Sequence, residues 1–174
     1  MRLASEVCVA DLGRRRRSEE GGLETALTSK VSWGVLGVAR IAVEKVIPAM
    51  QLGAVSRVDA IASRDIEQAK RAAAALGIER AYGSYEELLA DPTIEAIYNP
   101  LPNELHVPWT LRALEAGKHV LCEKPIALNA NEARALFAAR ARAGKHVAEA
   151  FMVTLYVAFC PCCCDSDPLP AVSR

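Results

Sequence analysis

Val31-Ser32-Trp33-Gly34-Val35-Leu36-Gly37-Val38-Ala39-Arg40-Ile41-Ala42 is the stretch whose reading decides the fold. Val31 to Leu36 reads as a buried strand. Gly37 turns the chain sharply, and a helix opens near Ala39. A strand running through a tight turn into a helix N-terminus points backbone N–H groups and the positive end of a helix dipole at one place. A pyrophosphate can be held there. The spacing fits G-x-G-x-x-[GA], with Gly37 first, Ala39 second and Ala42 third. Ala39 departs from the usual glycine, and its methyl group limits how closely the backbone can approach a phosphate. A glycine in this position also fits a purely structural turn, so the stretch needs support from the rest of the chain.

That support comes from the residues that follow. Ile41 to Leu52 reads as a helix with Ile41, Val46, Ile47 and Met50 on its apolar face, and Pro48 predicts a kink or an early end. Val58 to Ala62 is a second strand, ending at Ser63-Arg64. Asp65 is placed to cap a helix that closes at Gly77. Ala81-Tyr82 is a short third strand, and Ser84-Tyr85-Glu86-Glu87 has the spacing of a capping box. Ala96 to Tyr98 is a fourth strand, followed by a polar loop through Asn99, Pro100, Pro102 and Asn103. The spacing predicts a helix from about Leu105 to Ala116, with Pro108 in its first turn and Gly117 at its end. His119 to Cys122 is a fifth strand leading into Glu123-Lys124-Pro125. Asn129 with Glu132 caps an alanine-rich helix, and His146 to Phe151 is a sixth strand.

Six strands separated by helices, with short connections, predict an α/β fold with a doubly wound, mainly parallel Rossmann-type sheet. The strands read as near-continuous apolar runs, the pattern of strands covered on both faces. Ligands in such sheets sit beyond the C-terminal ends of the strands. Gly37 to Ala39, Ser63-Arg64, Asn99 to Asn103 and Glu123-Lys124-Pro125 all fall on that one edge. An NAD-binding site usually carries an acidic residue after the second strand, where this chain has Ser63 and then Arg64. Without a carboxylate to repel a 2′-phosphate, serine and arginine could bond and neutralise it, so NADP is preferred and NAD remains possible. The other reading of Arg64 is an ordinary solvated residue at a helix start.

The chain has 174 residues, 52% of them hydrophobic, and its 21 basic and 21 acidic residues cancel to a formal charge of zero. That balance gives no support for nucleic-acid binding. No apolar run is long enough to span a bilayer and no signal peptide opens the chain, so a soluble cytoplasmic protein without a membrane partner is expected. Residues 1–30 show no sustained period. Arg14 to Arg17 are followed by Glu19, Glu20 and Glu24, which favours a solvated, disordered leader over an anionic contact.

With these residues placed, the stretch from Val31 to Met152 resembles the glucose–fructose oxidoreductase/inositol dehydrogenase (Gfo/Idh/MocA) family. The resemblance rests on Gly34-Val-Leu-Gly37-Val-Ala39-Arg-Ile-Ala42, Ala62-Ser63-Arg64-Asp65, Tyr82-Gly83-Ser84-Tyr85-Glu86-Glu87-Leu88-Leu89, Leu101-Pro102-Asn103-Glu104-Leu105-His106 and Gly117-Lys118-His119-Val120-Leu121-Cys122-Glu123-Lys124-Pro125. It implies hydride transfer between a nicotinamide and a hydroxyl-bearing carbon of a sugar, polyol or diol. It also implies a cofactor site made by Gly37, Ala39, Arg40, Ile41, Ser63, Arg64, Pro102, Asn103, His106, Glu123 and Lys124. Lys124 is the catalytic residue by this resemblance, its ammonium stabilising a developing alkoxide, with a cis bond to Pro125 aiming it into the cleft. For His106, a place near the nicotinamide and a helix-start role with a surface function are both open.

The resemblance stops after Met152. Residues 31–153 are therefore expected to form the dinucleotide-binding domain and residues 154–174 a non-family tail. The family's second domain, which supplies substrate contacts and usually the dimer interface, is expected to be missing, so the chain alone would have little activity and its oligomeric state stays open. The tail carries Cys160, Cys162, Cys163 and Cys164. Their spacing does not match paired zinc ligands, and no metal site is assigned. The alternative function is a non-catalytic nucleotide-binding, redox-sensing or metal-sensing module.

Overall fold

The structure, a computed structural model, describes residues 30–151. The expected leader, apart from Lys30, and the cysteine-rich tail lie outside the described residues. The elements in chain order are β1 (Val31–Leu36), a π turn (Ala42–Val46) continuing into α1 (Ile47–Leu52), β2 (Ser56–Ala62), α2 (Ile66–Leu76), β3 (Arg80–Tyr82), α3 (Tyr85–Ala90), β4 (Ala96–Asn99), α4 (Asn103–Glu115), β5 (His119–Glu123), α5 (Ala130–Ala143) and β6 (Val147–Ala150). The strands form one sheet in the order β3-β2-β1-β4-β5-β6, every pairing parallel. The chain winds outward from β1 to β3, then crosses back to β4. This is the Rossmann-type α/β arrangement, and its switch point lies between β1 and β4.

Alternation along β1 builds both layers of the core. Leu36 packs on one face with Ala60, Ala62, Leu88, Leu89 and Ile97, under α3 and α4. Val35 packs on the other with Ala42, Ile47, Ile61 and Tyr98, under α1 and α2. Burying a leucine such as Leu88, fully enclosed here, contributes about 1.5–3 kcal/mol. Gly34 belongs to this packing, because a Cβ there would lie 2.7 Å from Leu88 Cδ2 and 3.2 Å from both Ile94 and Ile97 side chains.

Local chemistry sets the helix ends. Asp65 accepts from the N–H groups of Glu67 and Gln68, and α2 closes on Gly77 at φ 66°. Ser84 accepts from Glu87 N–H while the Glu87 carboxylate accepts from Gly83 N–H, one residue before the donor that a standard capping box uses. Asn129 caps α5 in the same manner.

Three elements differ from the sequence expectation. Pro48 does not end the first helix. The turn before it widens, with Ile47 N–H bonding to Ala42 O, and Pro48 falls at the start of α1, where its missing N–H is tolerated. The fourth helix begins at Asn103, two residues before the predicted start, so Asn103 is helical and Pro108 sits in the interior. Pro102 is its N-cap, with φ −53° and ψ 147°. The carbonyl that Pro108 leaves without a donor belongs to exposed Glu104, where water can satisfy it. Finally, β6 is not covered on both faces: Ala148 and Glu149 are exposed, because β6 is an edge strand.

Candidate functional site

A cleft of about 460 Å³ opens at the C-terminal edge of the sheet, over the switch point. Gly37, Val38 and Ala39 form one wall, Ser63, Arg64, Asp65 and Gln68 a second, and Pro100, Leu101 and Pro102 a third, with Tyr85 also lining it. Gly37 holds φ +80°, and its N–H donates to Ala62 O at 2.7 Å, which ties the turn to the end of β2. A side chain there would be strained by that φ and would meet Leu101 Cδ2 at 2.9 Å. The glycine turn is therefore required both by the backbone angle and by the nearness of the β4 loop.

On the second wall, the Ser63 hydroxyl donates to Gln68 Oε1 at 3.0 Å and accepts from Asp65 N–H. Asp65 Oδ1 is taken by the two N–H groups it caps. Arg64 is exposed and makes no ion pair among the described residues. Its guanidinium is thus an unpaired cation at the cleft rim, next in sequence to the capping Asp65 carboxylate.

The third wall is braced from below. Asn99, fully buried, donates to His106 O at 3.1 Å and to Thr110 Oγ1 at 3.3 Å, and its own carbonyl accepts from Leu101 N–H. His106 is 1% exposed, with Nε2 2.6 Å from Leu101 O and Nδ1 2.7 Å from Pro125 O. A neutral imidazole can donate to only one of these carbonyls at a time. The ring spans from the β4 loop to the loop after β5. It is neither a surface helix-start residue nor part of the cleft lining.

Beyond that strap, Glu123 and Lys124 stand at the end of β5. The Tyr98 phenol donates to Glu123 Oε1 at 2.7 Å. Burial first, and then the Glu123 carboxylate, push that phenol far above its ordinary range. Lys124 is exposed and joined to Pro125 by a cis peptide bond, and its ammonium has no hydrogen-bond partner among the described residues. Cys122, beneath it, is fully buried, and burial raises its thiol to about 12. A thiol so protonated is a poor nucleophile.

Of the residues singled out from the sequence, Gly37, Ala39, Ser63, Arg64 and Pro102 line this one cleft. Arg40 instead pairs with Glu44 at 2.9 Å, and Ile41 is 47% exposed. Asn103 is exposed in the first turn of α4. Glu123 and Lys124 lie along the same strand edge but outside the lining. Tyr85 and Gln68 line the cleft without having been singled out, and Leu101 lies within the Asn99 to Asn103 stretch expected on this edge. Tyr85 carried a signal, an aromatic residue at the first helical position after a serine cap, but that pattern speaks to helix initiation and not to a cleft.

The donor set suits a dinucleotide. It offers a glycine turn leading into a helix start, and a hydroxyl and an unpaired guanidinium at the end of β2, while the Asp65 carboxylate on the same wall has Oδ1 engaged in capping α2. Comparison with known proteins agrees. A family model described as an oxidoreductase family with an NAD-binding Rossmann fold matches residues 31–151. The chain is 57% identical over 123 residues to the uncharacterized oxidoreductase ORF334 of Rhizobium meliloti, a match covering 71% of this chain and 37% of that protein. It is 50% identical over 120 residues to D-xylose 1-dehydrogenase (NADP(+)) 2 of Haloferax volcanii, covering 69% of this chain and 37% of that one. Among solved structures, KijD10, a 3-ketoreductase from Actinomadura kijaniata in complex with NADP and TDP-benzene, superposes with a TM-score of 0.70 at 40% identity. That superposition covers 72% of this chain and 38% of KijD10. The chain thus spans well under half the length of the relatives it matches. With the glycine turn, the switch-point cleft and the family model all over the same residues, the chain belongs to the Gfo/Idh/MocA oxidoreductase family and carries its NAD-binding Rossmann domain.

Proposed function

We propose that the cleft binds NADP in preference to NAD, and that the chain is the cofactor-binding part of an oxidoreductase acting on a hydroxyl-bearing carbon of a sugar, polyol or diol. The observation that carries the preference is the sharing of one cleft by the Gly37 turn, the Ser63 hydroxyl and the unpaired Arg64 guanidinium. Gly37 to Ala39 and the following helix start would hold the pyrophosphate. Ser63 and Arg64 would hold the 2′-phosphate, with Ser63 exchanging its bond to Gln68 for one to the phosphate. The cofactor, when bound, supplies hydride transfer. Lys124, with a free ammonium beyond the end of β5, would stabilise negative charge on the substrate oxygen and exchange its proton there. The NADP in the KijD10 structure and the NADP(+) of the xylose dehydrogenase's name support the choice of cofactor. The substrate class rests on relatives named for D-xylose and dihydrodiol oxidation.

The test is a titration of the chain with NADPH and NADH, repeated with Arg64→Ala. Losing a charge-assisted bond to phosphate should weaken NADPH roughly tenfold or more, and NADH by less than about threefold. Equal losses for the two dinucleotides would remove the preference, and no binding of either by the native chain would overturn the reading as a whole.

A further inference from the structure

We infer that the Tyr85 hydroxyl is a direct hydrogen-bond donor to the bound dinucleotide, at an oxygen of its ribose–pyrophosphate segment above Gly37. The inference rests on the cleft being the dinucleotide site. Tyr85 is 6% exposed and lines the cleft from the α3 side. Its hydroxyl lies 3.5 Å from where a Cβ on Gly37 would stand, which puts it directly against the turn that meets the phosphates. Among the described residues the hydroxyl has no hydrogen-bond partner, yet it is not one of the sealed polar atoms left unpartnered, which among those residues is Arg80 Nε alone. The phenol is therefore buried in its body and open only at its tip, toward the cleft.

That arrangement is unusual enough to require an explanation. A buried tyrosine normally spends its hydroxyl on a neighbour, as buried Tyr98 does on Glu123 and even half-buried Tyr82 does on Asp91. Packing alone would be served by phenylalanine, since the ring is already held. It stands edge-on to Trp109, with centroids 4.8 Å apart and planes at 88°, and the Arg112 guanidinium lies 4.5 Å above the far indole. Arg112 is in turn paired to Glu86, the residue after Tyr85, at 2.8 Å. The ring is clamped from behind while its hydroxyl is left unused at the Gly37 turn. A donor fixed in advance at a cleft loses little freedom when an acceptor arrives.

The two other walls serve different parts of the ligand, so the prediction for Tyr85 separates from that for Arg64. Tyr85→Phe removes one oxygen and keeps the ring against Trp109. It should weaken NADPH and NADH by the same factor, about fivefold to twentyfold, because both carry the ribose–pyrophosphate segment. The unfolding midpoint of the unliganded variant should match that of the native chain, since no internal bond is lost. Affinities within twofold of native for both dinucleotides would overturn the inference while leaving the cleft assignment standing. A loss confined to NADPH would also overturn it, by placing the hydroxyl at the 2′-phosphate. A native chain that binds neither dinucleotide would overturn this inference together with the reading beneath it.

Discussion

The Tyr98 phenol donates to Glu123 Oε1 at 2.7 Å, joining the middle of β4 to the last residue of β5. Tyr98 is opposite Leu121 in the sheet register, so the phenol reaches one pleat forward along the same face to meet Glu123. A fully buried aromatic residue thereby holds the carboxylate immediately before Lys124, whose own N–H also leans on Glu123 Oε2 at 3.3 Å. The peptide that carries Lys124 is thus braced by the core through one hydrogen bond.

Tyr98→Phe removes that bond without opening a cavity. Glu123 is half-buried and can be rehydrated, so the expected cost is only about 1 kcal/mol of stability, read from the urea midpoint. The pH dependence has a definite sign. The folded phenol titrates well above the unfolded value of 10.0, so above about pH 10 the unfolded chain releases this proton first and stability falls as pH rises. The native protein should lose stability through this alkaline range more steeply than Tyr98→Phe. Parallel alkaline curves would show that neither burial nor Glu123 raises the Tyr98 phenol.

An acid-side prediction comes from the opposite end of the sheet. The Asp91 carboxyl is 8% exposed and accepts from the Thr93 N–H and hydroxyl, from Tyr82 and from Arg80. Burial by itself would raise it, but the Thr93 and Tyr82 bonds and the Arg80 charge outweigh burial and hold it at about 2. Asp91 then contributes stability above its unfolded value of 3.8 and loses it as pH falls from there toward 2, roughly 2 kcal/mol over the interval. Asp91→Asn should flatten the acid limb of the stability curve between pH 4 and 2. The adjoining turn has its own brace, Lys118 Nζ donating to Asp91 O and Ile94 O at 2.7 Å each, and should survive the change.

Gly34→Ala tests a packing claim independent of the cleft. The new methyl would fall 2.7 Å from Leu88 Cδ2, and Leu88 has no room to withdraw because it is fully buried. Overpacking of this kind costs about 1–3 kcal/mol. The denaturation midpoint should drop accordingly, whereas NADPH affinity below the transition should stay near native, since Gly34 lies in β1 and away from the Gly37 turn. An unchanged midpoint would mean that α3 can slide away from the sheet.

The succession of strands and helices along the chain and the cleft edge were legible in the sequence because they depend on local signals. Val31 to Leu36, the Gly37 turn and the Asp65, Ser84 and Asn129 caps are each fixed by residues within a few positions of one another. Features set by distant neighbours were not legible. Nothing near Tyr85 in sequence shows that its hydroxyl ends at Gly37, 48 positions earlier. His106 reads equally as a surface residue at a helix start or as a residue near the nicotinamide until Pro125 is folded against it. The widened turn before Pro48 and the early start of α4 share a cause: proline marks a disturbed backbone locally, but the surrounding packing decides whether the helix breaks, widens or starts there.

Lys124→Ala separates binding from chemistry. The ammonium is exposed and makes no described hydrogen bond, so its loss should leave the unfolding midpoint unchanged and the NADPH dissociation constant within about threefold of native. Its charge should still be felt at the nicotinamide end. A cation beside the ring disfavours the positively charged oxidised form relative to the neutral reduced one. Removing it should therefore tighten NADP⁺ relative to NADPH, about twofold to fivefold in the ratio of dissociation constants, and high salt should erase most of that difference. Calorimetric titration of both redox forms at low and high salt measures it. A ratio unchanged from native would mean that Lys124 does not face the nicotinamide. A large loss of affinity for both forms would make it a phosphate ligand instead.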